Sequence, residues 1–143
     1  MAAPQRPLLA LLGLLLLLAA SRADTADASN EKAAWNALRE GVPVSTLWSS
    51  QWCRTRDSAA LFALGPVREV GAFNSFFGTH GDEATQTAAA RKLLLGWRES
   101  GTLVVVTHQV NIRALTGQTI DSAEGVVLRR HGTRLQVVGH IQP

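Results

Sequence analysis

The chain has 143 residues, with 14 basic and 11 acidic side chains and a formal net charge of +3 at pH 7. This length accommodates one small domain and excludes two. Cys53 is the only cysteine, so no intrachain disulfide can stabilise the fold. Despite the high pI, no basic cluster is present outside the predicted leader, so the composition does not indicate a nucleic-acid partner.

An apolar segment at the amino terminus predicts an export signal. Residues 1–23 contain Arg6, the apolar run 8–20, and Ser21-Arg22-Ala23, whose small residues suit signal-peptidase cleavage. Ala26-Asp27-Ala28 is an alternative cleavage site. The run is shorter than the roughly 20 residues that span a bilayer, so we expect no stable membrane anchor after cleavage and a periplasmic or secreted chain. Cleavage lowers the formal charge to +1, because two arginines and no acid are lost.

Glycine and proline stop signals, together with the spacing of apolar residues, predict the helices and strands that follow. Residues 24–41 form a polar start and an amino-terminal helix, which ends before Val42-Pro43, and residues 42–143 form the domain. Gly65-Pro66 ends a later helix, and the β-branched run before residue 108 is typical of a central parallel strand. In chain order, the prediction is a helix over 31–40, a strand over 44–49, helices over 53–64 and 82–100, a strand over 102–107, a helix over 110–115, and a terminal hairpin of 124–129 with 133–139. Alternating helices and strands indicate an α/β layered domain with an antiparallel edge.

Cationic and hydrogen-bonding side chains follow two of the predicted strands. His108 comes directly after the strand over 102–107, while Arg54 and Arg56 follow the strand over 44–49. In parallel α/β sheets ligands bind at the carboxyl ends of the strands. A guanidinium binds an oxyanion through two hydrogen bonds, and an imidazole can add a third or move a proton. The pattern favours recognition of phosphate or another small oxyanion. The alternative is that the arginines are solvated helix charges and His108 is structural.

Other site chemistries lack support in the sequence. The histidines and Cys53 show no pair at metal-ligand spacing, so we expect neither a metal nor another cofactor. The tryptophans and phenylalanines, without a basic stripe beside them, favour core or pocket wall over a platform for stacking bases. Nucleic acid is therefore not an expected partner.

Two motifs together resemble the histidine phosphatase superfamily, which has the phosphoglycerate-mutase-like fold, and in particular its small exported bacterial branch. One is "LWSSQWCRTRDSAAL", which contains Ser49, Ser50, Arg54 and the pair Ser58-Ala59. The other is "LVVVTHQVNIRALTG", in which Thr107 and His108 follow an apolar strand and Leu115 and Gly117 end a helix. The matches cover residues 42–130 in the family's order. The resemblance implies a three-layer α/β domain with a mainly parallel sheet and an antiparallel carboxy-terminal hairpin.

The resemblance also implies a phosphate pocket of two arginines and two histidines, one of which becomes transiently phosphorylated. Arg54 corresponds to the second arginine and His108 to the second histidine. Gln109 and Asn111 can add donors from the first turn after the strand. The expected ligand is phosphate or a small phosphorylated compound.

The family's nucleophile motif, arginine-histidine-glycine at the end of the first strand, has no counterpart before residue 50. The sequence therefore predicts a truncated domain that lacks the first strand, the nucleophile and the following helix, with the seam near Gly41-Val42. Arg130-His131-Gly132 spells the motif but falls in the predicted hairpin. Glu69 and Glu83 lie in the segment that supplies the proton donor in many relatives, and surface carboxylates are the alternative interpretation of both.

Two function hypotheses follow. The first is a periplasmic phosphomonoester hydrolase, which the resemblance favours and the missing nucleophile opposes. The second is a non-catalytic remnant that binds phosphate or a partner, or that has no phosphate chemistry at all. Loss of an attacking histidine closes the covalent route, which favours a catalytically impaired protein.

Overall fold

Six strands form one sheet in the computed structural model, which describes residues 42–142 and the backbone of residues 14–19. The strands are β1 (Leu14–Ala19), β2 (Val44–Ser49), β3 (Val67–Glu69), β4 (Thr102–Thr107), β5 (Gly125–His131) and β6 (Arg134–Ile141). The helices are α1 (Cys53–Leu61), α2 (Glu83–Gly96) and α3 (Gln109–Thr116), with a 3₁₀ turn over Gly71–Phe73.

The strand order in the sheet is β3-β2-β4-β1-β5-β6. The first four strands run parallel, whereas β5 is antiparallel to both β1 and β6. The expected mainly parallel sheet with an antiparallel carboxy-terminal hairpin is therefore confirmed. The predicted strands over 44–49 and 102–107 have the bounds that the structure gives to β2 and β4.

The apolar run of β4 is continuous because both faces of this strand are buried. Leu103 and Val105 belong to the core on the side of α2 and α3. Val104 and Val106 belong to a second core on the side of α1, which contributes Ala59. All four β4 side chains have no exposed surface. Helices thus cover both faces of the sheet, as the predicted three-layer architecture requires.

Several predicted boundaries differ from the structure. The helix predicted over 53–64 ends at Leu61, since Ala63 adopts a left-handed conformation with φ of 49°. The helix predicted over 82–100 ends at Gly96, after which the buried Trp97 is extended. The sequence did not predict β3 or the 3₁₀ turn, which are too short to show a period. The helix predicted over 31–40 lies outside the described residues, and no helix within those residues is long and apolar enough to cross a membrane.

The segment Leu14–Ala19 forms a strand, although the sequence interpretation assigned it to a cleaved leader and placed no strand before residue 42. It lies between β4 and β5, with Ala19 opposite Thr107 and Leu16 opposite Val127. A continuous apolar run suits both uses, since a strand between two neighbours and a leader have the same composition. In this fold the first-strand position is therefore filled by residues that precede the predicted cleavage site.

Removal of residues 1–23 should prevent cooperative folding, because it leaves facing edges of β4 and β5 without their backbone partner. The free-energy cost of leaving these backbone donors and acceptors unpaired is expected to exceed a typical stability of about 5–15 kcal/mol. We expect the chain 24–143 to show no sharp unfolding transition by circular dichroism, whereas the matched deletion of residues 1–13, which retains β1, should unfold cooperatively. A sharp thermal transition for both chains at the same temperature would show that β1 is dispensable.

Candidate anion-binding site

Two strand-to-helix junctions meet at one edge of the sheet. The chain passes from β2 into α1 and from β4 into α3, and the two strands are adjacent and parallel, with Ser49 opposite Val106. The Ser50 amide continues this pairing by donating to the Val106 carbonyl at 3.0 Å. The sheet register therefore brings Ser50 next to His108, although 58 positions separate them in the chain.

Arg54 and His108 are in direct contact. The Arg54 Nη2 atom lies 3.2 Å from His108 Nδ1, and His108 Nε2 lies 2.9 Å from Ser50 Oγ. His108 is only 4% exposed and Ser50 is fully buried, while Arg54 is exposed. The structure thus brings together the cation and the imidazole that the sequence placed at two separate strand ends.

Burial and the neighbouring cation keep His108 neutral. Desolvation, and secondarily the charge of Arg54, lower the pKa of His108 from 6.5 to about 4. Arginine has donors and no acceptor, so Nδ1 of the neutral imidazole accepts from Arg54. The ring proton then lies on Nε2 and is donated to Ser50 Oγ. This arrangement leaves the lone pair of Nδ1 facing the guanidinium, where an incoming anion would bind.

Asn74 ties the loop after the 3₁₀ turn to both junctions. Its Oδ1 atom accepts from the Gln51 amide at 2.8 Å and lies 3.2 Å from Ser50 Oγ. Its backbone carbonyl accepts from Asn111 Nδ2 at 2.9 Å. Ser50 and His108 are therefore held by contacts from three segments of the chain, which fixes the orientation of the imidazole.

Both helices that begin at the site present unblocked amino termini. Neither α1, with nine residues, nor α3, with eight, has a side-chain cap or an acidic residue in its first turn. Helix amino termini carry partial positive charge and favour bound anions. Since Trp52 and His108 are the residues that precede these helices, the helix fields add to the charge of Arg54 at the same edge.

A cavity of about 610 Å³ opens beside these residues. Its polar lining includes Arg54 and His108, and no carboxylate of the described residues lines it. The described residues that line it are Trp52, Arg54, Ser75, Phe77, His80, His108, Gln109, Val110 and Ser122. A cavity of this size whose described lining carries a cation and no acid is suited to an anionic ligand.

The other predicted donors lie in different environments. Gln109 lines the cavity, and its Nε2 atom donates to the Ile120 carbonyl at 2.9 Å. Asn111 is 2% exposed, does not line the cavity and uses Nδ2 to hold Asn74. The expectation that Asn111 offers a donor to the ligand is corrected by this placement, because packing of α3 against the Asn74 loop turns its amide away. In the described structure Asn111 positions the loop.

Neither predicted proton-donor candidate reaches the cavity. Glu69 ends β3 and forms an exposed ion pair with Arg56, 3.5 Å away. Glu83 begins α2 and lines a different cavity, of about 970 Å³, along that helix. Both carboxylates are exposed at the surface. Arg56 lies near the start of α1, as Arg54 does, but its side chain pairs with Glu69.

Six of the described residues that line the cavity were not predicted as site residues: Trp52, Ser75, Phe77, His80, Val110 and Ser122. Trp52 and Val110 lie within the two motifs, whereas the other four lie on loops whose course no periodicity predicts. His131, within the Arg130-His131-Gly132 sequence, lies exposed at the end of β5 in the hairpin and does not line the cavity. Among the described residues, no group of three His, Cys, Asp or Glu side chains could hold a metal ion.

Comparisons with known proteins identify the fold. No protein-family model matches the sequence, and no curated protein gives a significant match. A structure of the protein histidine phosphatase SixA complexed with tungstate matches 90% of this chain and 96% of its own, with a TM-score of 0.69 and 10% identity. Phosphoserine phosphatase from Entamoeba histolytica in complex with 3-phosphoglyceric acid matches 92% of this chain and 98% of its own, with a TM-score of 0.70 and 13% identity. YhfR of Bacillus stearothermophilus matches 87% of this chain and 95% of its own, with a TM-score of 0.70 and 11% identity. The chain therefore has the histidine phosphatase fold that its motifs predict.

The neutral state of His108 should make the protein sensitive to acid. An unfolded histidine binds a proton near pH 6.5 and the folded one only near pH 4, so stability is complete above pH 6.5 and falls as pH approaches 4. The difference corresponds to about 3 kcal/mol. In urea unfolding between pH 7 and 4, His108→Gln should lose less stability than the native chain. His131→Gln, an exposed control, should follow the native slope, and identical slopes for all three would contradict the assignment.

Proposed function

We propose that the chain binds phosphate, or a small compound carrying a phosphate group, at Arg54 and His108. The observation that supports this most strongly is the 3.2 Å contact between an exposed guanidinium and a buried neutral imidazole at two adjoining strand ends. The phosphatases of the same fold provide analogy, since one is complexed with tungstate and another with 3-phosphoglyceric acid.

Arg54 is available to a ligand. Within the described residues, the ion pair of that helix joins Arg56 to Glu69, and Arg54 has no acidic partner. Its contact with neutral His108 leaves its charge uncompensated. An oxyanion can accept two parallel hydrogen bonds from the guanidinium in a geometry that lysine does not provide.

His108 responds to the anion by taking up a proton. In the free site Nδ1 is an acceptor, so it repels an oxyanion's lone pairs. A bound anion partly cancels the charge of Arg54 and favours the imidazolium, and protonated Nδ1 then donates to an anion oxygen while Nε2 continues to donate to Ser50. Ser50 is the positioning residue, since it fixes the ring for this exchange.

We further propose that binding is not followed by covalent phosphoryl transfer. The first histidine of the sequence is His80, so no histidine is available at the end of the first strand, where the resemblance places the nucleophile. Positioning and electrostatic stabilisation by Arg54 and His108 do not replace a nucleophile. The alternative, a remnant with no phosphate chemistry, predicts no anion binding at all.

Export remains a proposal supported by the sequence of residues 1–23. Cleavage after Ala23 would remove β1 together with the leader, so the described six-strand sheet belongs to the uncleaved chain. Sheet formation through Leu14–Ala19 and cleavage after Ala23 are therefore alternative fates of the same molecule.

Binding of phosphate or vanadate should require both Arg54 and His108. We expect phosphate or vanadate to bind with a Kd of roughly 1 mM, about −4 kcal/mol, measured by chemical-shift titration of the full chain. Arg54→Ala and His108→Ala should abolish binding. Arg56→Ala, the matched arginine control on the same helix, and His131→Ala and His140→Ala should retain it. Hydrolysis of p-nitrophenyl phosphate should stay at background, and turnover that disappears in His80→Ala or His131→Ala would refute the non-catalytic proposal.

Anion binding should strengthen as pH falls. Sulfate, whose charge is constant between pH 7.5 and 5, isolates the titration of the protein from that of the ligand. Because the pKa of free His108 is about 4 and an anion raises it, binding takes up a proton and tightens by up to about tenfold per pH unit below the pKa of the complex. His80→Ala should keep this slope, which separates His108 from the other histidine of the cavity. Affinity that is flat over this range would contradict the proton uptake.

A further inference from the structure

The cavity beside Arg54 and His108 is far larger than an inorganic anion. Its volume of about 610 Å³ compares with roughly 30 Å³ for a water molecule. Cavities of about 300–1,000 Å³ hold small organic ligands. A ligand that fills this cavity therefore carries an organic group in addition to its oxyanion.

One wall of the cavity is aromatic. The Trp52 ring lies edge-on to both histidines, with centroid distances of 4.9 Å to His108 and 5.3 Å to His80. Phe77 also lines the cavity and is 73% exposed, the largest exposed fraction among the large hydrophobic side chains of the described residues. The rings of Trp52, Phe77 and His80, here called the aromatic wall, border the cavity, and Phe77 and His80 are exposed in the described part of the chain.

Local contacts hold this wall in place before any ligand arrives. The Trp52 amide donates to Ser50 Oγ at 3.2 Å, which ties the backbone of Trp52 to the anion-binding contact, and its ring lies 4.9 Å from that of His108. The Phe77 amide donates to Ser75 Oγ at 3.2 Å, and Gly78 follows in the left-handed conformation with φ of 73°. A preorganised wall loses little conformational entropy when a flat group packs on it.

The charges of the lining restrict the ligand further. Among the described residues that line the cavity, Arg54 is the one lysine or arginine, so this part of the lining matches a single phosphate group better than two. Two of the other polar side chains that line the cavity already have partners, since Ser75 Oγ accepts from the Phe77 amide and Gln109 Nε2 donates to the Ile120 carbonyl.

We infer that the organic part of the ligand is an aromatic ring, so that the site takes an aryl phosphomonoester. This inference rests on the proposed function, because it places the phosphate at Arg54 and His108. The ring then packs against the aromatic wall on the far side of the cavity.

The test compares three ligands on the full chain: 1-naphthyl phosphate, propyl phosphate and inorganic phosphate. Titration calorimetry or chemical-shift titration gives each Kd. We expect 1-naphthyl phosphate to bind about tenfold more tightly than propyl phosphate, a difference of about 1.4 kcal/mol. Equal affinities for the two esters, with inorganic phosphate still bound, would overturn the aryl inference alone. Failure of all three ligands to bind would overturn the proposed function.

Variants locate the origin of the preference. Phe77→Ala should abolish most of the tenfold preference while the Kd for inorganic phosphate stays unchanged, and Phe77→Tyr should retain the preference. Leu61→Ala is the matched control, because Leu61 is an apolar side chain on α1 with 64% exposure that does not line the cavity. A preference that survives both Phe77→Ala and His80→Ala would show that the aromatic wall does not bind the ring, and would overturn the inference.

Discussion

The parallel pairing of β2 with β4 is the constraint on which the site depends. The register places Ser49 opposite Val106, and one further residue on each strand brings Ser50 and His108 within hydrogen-bond distance. Arg54 lies close by because α1 starts at this edge of the sheet, and its guanidinium contacts the other ring nitrogen of His108. A shift of one residue in this register would turn the β4 side chains to opposite faces and separate the imidazole from the guanidinium. The burial of β4 on both faces therefore fixes the geometry of a polar site at its end.

The same packing sets the protonation state of His108. A histidine beside a carboxylate would be charged before a ligand arrives, whereas this one is desolvated, faces a cation and stays neutral. The contact between Arg54 and neutral His108 thus carries one positive charge, and the proton uptake that we propose would add a second when an anion binds. This coupling needs a buried ring and a fixed partner on each nitrogen, which Ser50 and Arg54 provide. An exposed histidine at the same strand end would titrate near its ordinary pKa and add charge regardless of the ligand.

The sequence predicts the parts of this fold whose residues repeat with a clear period or stand beside a strong stop signal. The strands β2 and β4 are predicted with their observed bounds, and the convergence of Arg54 with His108 follows from the rule that parallel strands end at the same edge. The orientation of Asn111 does not follow, because its amide is turned away by a loop contact with Asn74 that no local pattern encodes. Phe77 and His80 are unpredictable for a related reason: they lie on a loop, and only the tertiary structure shows which cavity that loop borders.

The strand β1 shows a deeper limit of sequence interpretation, since one apolar segment satisfies two incompatible physical requirements. A signal peptide and a strand between two neighbours both need an uninterrupted apolar run, so composition alone cannot distinguish them. Pairing does distinguish them, because β1 offers its backbone to β4 on one side and to β5 on the other. Within the described residues, β1 is the strand that joins the β5–β6 hairpin to the parallel part of the sheet. The hairpin therefore depends on the segment that export would remove, whereas β2, β3 and β4 pair without it. The contact between Arg54 and His108 lies at the ends of β2 and β4, and it too depends on β1, because β1 pairs with the other edge of β4 up to Thr107, the residue before His108.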